Sequence, residues 1–161
     1  MARWDDAVEG FEKNNNSVVI SAGNEGTVEE DLESSIGNRQ LRLPTDFETN
    51  VLENDLVTSV GAVDGRGTTR SAYSSESSGV DIYANGSLTL GEDFEASGTS
   101  FSSPRVGVTM AELHRLYPDM TSQQVESLML SNLTENGRNG DSSIKVLKPD
   151  VNFEFLRNQK F

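Results

Sequence analysis

Leu56-Val57-Thr58-Ser59-Val60-Gly61-Ala62-Val63-Asp64-Gly65 decides how this 161-residue chain is read. Its β-branched and small residues run without a charge until Asp-Gly, a strong turn pair, and so predict a buried strand. Val18-Val19-Ile20 is a second run of this kind. It follows Trp4, Ala7, Val8 and Phe11, which recur at helical spacing, and the interrupting Asn14-Asn15-Asn16. Val80-Asp81-Ile82-Tyr83 alternates as a half-exposed strand does, with turn chemistry at Asn85-Gly86.

Helices alternate with these strands. From Ser102 to Leu116 the chain is mostly apolar all round, which predicts a buried helix stopped at Tyr117-Pro118. Thr121-Ser122-Gln123-Gln124 has capping-box spacing, and Val125, Leu128 and Met129 mark one apolar face behind it. Strands interleaved with helices indicate an α/β fold with a mostly parallel sheet flanked by helices, whose sites gather at the C-terminal strand ends. Glu25 to Asn54 reads as a polar loop or insertion, Thr134 to Ser143 as a loop, and Val151 to Phe161 as a short helix. The length suits one domain.

A formal net charge of -13 repels polyanions, so nucleic acid and anionic membranes are not expected partners. The absence of cysteine excludes disulfides, thiolate zinc sites and a cysteine nucleophile, and leaves the compartment open. No run approaches the roughly 20 apolar residues that span a bilayer, and residues 1–6 lack the apolar stretch of a signal peptide. No pattern for a metal or other cofactor is read.

The chemistry lies in Ser97-Gly98-Thr99-Ser100-Phe101-Ser102-Ser103-Pro104. A serine in the first turn of a helix meets free backbone N–H groups and the positive end of the helix dipole, which favour a developing oxyanion. Taken alone, the stretch reads as a helix cap. It gains meaning from Val18-Val19-Ile20-Ser21-Ala22-Gly23-Asn24-Glu25-Gly26 upstream. Together the two stretches resemble the subtilisin-like serine proteases, or subtilases, and Val57–Asp64 and Ser71–Ser75 resemble that family's intervening segments. The resemblance covers about residues 4 to 133. It implies Ser100 as nucleophile, Asn24 as oxyanion-hole donor, and Ser21, Ala22 and Gly23 as one wall of the pocket for the substrate side chain before the scissile bond. Arg105 stands where many members have histidine, and Asn85 where proline is common.

The family order is Asp, His, Ser, with both the aspartate and the histidine ahead of the oxyanion asparagine. The sole histidine here is His114, on the same expected helix as Ser100 and roughly 20 Å along it. It is out of reach as a general base and reads as a packed or surface residue. Asp5, Asp6, Asp64, Asp81 and Asp93 read as surface or turn acids. The chain is therefore expected to be the C-terminal portion of a protease domain, inactive alone, with a polypeptide substrate and a partner segment carrying Asp and His. The alternative is a non-catalytic half-fold that binds peptides or other partners. A sheet edge left open beside Val18–Ile20 further implies pairing with a companion or self-association. The family resemblance is compatible with a secreted or cell-envelope location, and the residues themselves assign no compartment.

Overall fold

The computed structural model describes residues 2–26, 54–65, 67–75, 79–91, 94–137, 144–150 and 153. Helix α1 (Ala2–Lys13) is followed by strands β1 (Val18–Ser21), β2 (Val57–Val63) and β3 (Ile82–Asn85). A hairpin of β4 (Ser87–Leu90) and β5 (Phe94–Ser97) leads into helix α2 (Thr99–Leu116), and α3 (Ser122–Asn132), β6 (Thr134–Asn136) and β7 (Lys145–Leu147) complete the order. Asn15 bends the chain out of α1 at φ 56, a conformation its short amide tolerates, and donates that amide to the Met120 carbonyl at 2.7 Å.

The five-stranded sheet has the order β1-β2-β3-β7-β6. β1, β2, β3 and β7 run parallel, and β6 closes one edge antiparallel to β7. The expected α/β architecture with a mostly parallel sheet is thus present. β2 lies between two strands, and all seven of its residues are buried. Its polar Ser59 is satisfied there, because the Ser59 N–H and hydroxyl both donate to Asp81 Oδ2 at 2.8 and 2.7 Å. Val60, Ile82 and Ala84 meet Val106, Met110 and Leu113 of α2 and Val125, Leu128 and Met129 of α3 in one core. Val63, Tyr83, Ile144 and Val146 form a second cluster. The capping box of α3 is formed in both directions, Gln124 N–H to Thr121 Oγ1 at 3.2 Å and Thr121 N–H to Gln124 Oε1 at 2.8 Å.

The structure corrects four expectations. β3 is buried rather than half-exposed, because β2 and β7 flank it on both sides and α2 covers Ile82 and Ala84. Asn85-Gly86 does not reverse the chain but carries it straight into the hairpin. There Gly86 N–H bonds to Val63 O at 3.0 Å, and the Asn85 side chain takes the Ser87 N–H at 2.8 Å. α2, which has Ser100 in its first turn as expected, is not buried all round, since Val108 is 70 % exposed. Thr134, expected in a loop, begins β6.

β1 pairs on one side only among the described residues, leaving the sheet edge that the sequence implied. Most of the expected Glu25–Asn54 loop lies outside the described residues, as do the side chain of Trp4 and all of the tail except Phe153. Phe153 packs against the main core.

Candidate active site

Three segments converge at the C-terminal ends of β1 and β2. Past the end of β1 the chain stays paired for one more residue, Ala22 N–H to Val60 O at 2.9 Å, and then turns through Gly23, Asn24, Glu25 and Gly26. Residues 73–75 clip this turn from outside. Ser75 N–H bonds to Gly23 O at 3.1 Å, Gly26 N–H to Tyr73 O at 2.9 Å, and the Ser75 hydroxyl donates to Glu25 Oε2 at 2.6 Å. Gly26 has φ +67, and a Cβ there would stand 2.7 Å from the Ala72 carbonyl oxygen, so the clip requires glycine. The clip is in turn tied to β2, through Ser71 N–H to Ala62 O at 2.9 Å and Ala62 N–H to Ser74 Oγ at 3.0 Å.

The start of α2 is anchored by a relay of backbone bonds. Gly98 N–H bonds to Gly86 O at 2.9 Å, and Gly86 N–H bonds to Val63 O at the end of β2. Gly98, at the N-cap position, has no side chain with which to cap the helix. Asn24 does so from 75 residues away, its Oδ1 accepting from the Thr99 N–H at 2.8 Å and from Thr99 Oγ1 at 3.0 Å. A backbone N–H can only donate, so the amide oxygen must face Thr99 and the Asn24 NH₂ must face elsewhere. That carboxamide lies against Gly98, with Nδ2 3.4 Å from where a Cβ on Gly98 would be. Thr99 is buried, while Ser100 and Asn24 are exposed.

The arrangement thus places the oxygen of Asn24 on the residue before Ser100 and, among the described residues, leaves its donor group uncommitted. Pro104 lacks the N–H that would reach back to the Ser100 carbonyl, and the first turn of α2 contains no acid to offset the helix dipole. Electrostatically, the Ser100 end of α2 suits an oxygen that gains negative charge.

Of the three expected pocket residues, Ser21 is exposed at the end of β1, Gly23 is half-buried, and the Ala22 side chain is buried. His114 is not part of this assembly. It lies fourteen residues further along α2, and its Nε2 is 2.8 Å from Ser17 Oγ, ahead of β1. Burial lowers its pKa. A cavity of about 510 Å³ between α2 and the end of β7 is lined by neither Asn24 nor Ser100.

The sequence model of the Subtilase family matches residues 1–145. The chain belongs to the subtilase family. Comparison with the curated proteins finds no match. Among solved structures, the subtilase chain is similar to the epidermin leader peptide processing serine protease of Staphylococcus aureus, with TM-score 0.67 and 20 % identity over 97 % of this chain and 43 % of that one. A cold-adapted subtilisin-like serine proteinase gives TM-score 0.63 and 20 % identity over 94 % and 52 %. A protease of Pseudoalteromonas arctica gives TM-score 0.62 and 20 % identity over 89 % and 43 %. These likenesses establish the fold, and this subtilase chain spans about half the length of each of those structures.

In the sequence Thr99 stands only within a stretch that reads as a helix cap, and Ser75 only at the end of the Ser71–Ser75 segment. The first is the partner of Asn24, and the second secures the turn that carries it. Neither contact has a local signature, since 75 and 50 residues separate the partners.

Proposed function

We propose that this chain supplies the nucleophile and the oxyanion donors of a subtilisin-like serine endopeptidase. In this reading Ser100 Oγ adds to a scissile peptide carbonyl and its proton passes to a histidine. The carbonyl oxygen, now an anion, takes hydrogen bonds from the Asn24 side-chain NH₂ and the Ser100 N–H. Collapse of that intermediate expels the amine with the proton returned by the histidine, and water then hydrolyses the acyl-serine by the same steps. Ser21 to Gly23 form one wall beside the substrate residue that precedes the scissile bond.

The observation that carries this reading is the Asn24–Thr99 bond pair, which orients the asparagine as a donor beside the serine. The histidine and its aspartate come from another part of the protein or a companion chain, for His114 is about 20 Å from Ser100 along one helix. The open edge of β1 is the place for that part to join, by parallel strand pairing.

His114, bonded to Ser17 on a helix it shares with Ser100, also favours a second reading, a peptide-binding module without catalysis. Reaction with a fluorophosphonate probe separates the two. The endopeptidase reading predicts background labelling of the chain alone, and rapid labelling at Ser100 once the aspartate- and histidine-bearing part is added. Failure to label in the assembled protein leaves the module; rapid labelling of the chain alone refutes the dependence on an external base.

A further inference from the structure

The hairpin ahead of Ser100 has two unlike faces. In its register Leu88 stands opposite Ala96 and Leu90 opposite Phe94, while Ser87 pairs with Ser97 and Thr89 with Glu95. Because side chains alternate along a strand, the first two pairs share one face and the last two the other. One face is therefore wholly apolar and the other wholly polar. The apolar face has no lid among the described residues, with Leu90 57 % and Phe94 52 % exposed. A lone two-stranded ribbon gains little by leaving such a pair in water.

The ribbon's base is fixed to the candidate site. Gly98 N–H holds to Gly86 O, the Arg105 guanidinium donates to Ser87 O at 3.2 Å, and Gly65 N–H reaches Ser87 Oγ at 3.3 Å. The Gly65 contact occupies the polar face at the base, which leaves the apolar face clear of that loop. Ser100 lies six positions after Phe94, so the two are at most about 20 Å apart, a span that about six residues of an extended peptide cover.

We propose that the apolar face formed by Leu88, Leu90, Phe94 and Ala96 docks a bulky apolar stretch of the polypeptide substrate, a few residues from the bond presented to Ser100. The inference rests on the reading of Ser100 as the nucleophile, because continuity with that serine is what assigns the face to a substrate. An extended segment lying on the ribbon places every second side chain on Leu90 and Phe94 and satisfies its backbone at a strand edge unpaired among the described residues.

Fluorescence anisotropy with the full chain tests this. The probes are two fluorescein-labelled peptides of about ten residues, one with leucine or phenylalanine at alternate positions and one with serine there. The wild type is expected to prefer the apolar peptide, and the double variant L90S/F94S to bind it about tenfold more weakly with the serine peptide unchanged. T89A/E95A, on the opposite face, is expected to keep wild-type affinity and so controls for the fold of the hairpin. Equal binding of both peptides, or an L90S/F94S affinity equal to wild type, overturns the docking face. So does a wild-type dimer that L90S/F94S converts to monomer in sedimentation, since a second copy would then be the occupant. Fluorophosphonate labelling of the assembled wild-type protein reads the nucleophile separately. Labelling without peptide discrimination overturns the face alone; discrimination without labelling overturns the nucleophile reading, and with it the assignment to a substrate.

Discussion

The two ends of α2 are built differently. At the Ser100 end, the turn at 22–26, the clip at 73–75, Gly86 and Gly98 are joined by backbone donors and acceptors, and Asn24 caps Thr99 across the gap. At the other end His114 rests on Ser17 in an open groove of about 630 Å³, shared with Asn15, Val19, Met110 and Pro118. The residue type best suited to acid–base chemistry thus sits where little else is organised for catalysis. Strand ends and a helix N-terminus, more than the presence of a titratable side chain, single out the candidate site.

Substitutions at the two ends should separate sharply. Asn24→Ala removes the donor and leaves the Thr99 N–H uncapped. In the assembled enzyme, turnover is expected to fall about 10²–10³-fold with KM little changed, a magnitude carried over from the equivalent change in subtilisin. A loss confined to KM would contradict the role. Gly86→Ala acts through packing, because the new Cβ would overlap the Tyr73 hydroxyl and fall 2.7 Å from Ala62 Cβ. Overpacking of this kind costs about 1–3 kcal/mol, read as a lower urea midpoint, together with slower labelling of Ser100 as Gly98 shifts. An unchanged midpoint would show that the relay through Gly86 gives way easily.

At the other end, Glu126 accepts the Thr58 hydroxyl at 2.8 Å and borders a small cavity with Ser17 and Asp55. Burial raises its pKa, the hydrogen bond from Thr58 partly opposes this, and the charges of Asp81 and Asp55 add to the rise. A folded pKa above the unfolded one means that the stability this group contributes is full below the ordinary glutamate range and is lost as pH rises through the folded value. Glu126→Gln is therefore expected to melt higher than wild type at neutral pH, with the advantage vanishing in acid. Thermal melts across that range check it, and a variant less stable at every pH would refute it. The smallest effect is expected of His114→Ala, a stability loss of about 1 kcal/mol for the Ser17 bond and no change in Ser100 labelling. A fall in labelling would bring His114 into the chemistry.

How much of this was legible in the sequence follows from how local each feature is. The Gly98-Thr99-Ser100 start of α2, the Thr121–Gln124 box and the buried run of β2 each fit within a few residues, and each could be read directly. The burial of β3 could not, because it comes from β7, more than sixty residues later. Leu88, Leu90, Phe94 and Ala96 do alternate, but two four-residue strands are too short to stand out. β6 and β7 have three residues each, less than a period-2 pattern needs to declare itself. Of the candidate site, the residue types were legible, but the bond from Asn24 to Thr99, which orients the amide, required the fold.

The central claim is that Asn24 and Ser100 address one oxygen. A crystal structure of the assembled protein with a peptidyl phosphonate bonded to Ser100 Oγ tests this most directly. The account predicts a phosphonyl oxygen about 2.7–3.1 Å from both Asn24 Nδ2 and Ser100 N, with Asn24 Oδ1 still on Thr99. A phosphonyl oxygen turned to solvent, or an Asn24 side chain swung away from Thr99 with its NH₂ elsewhere, would contradict it.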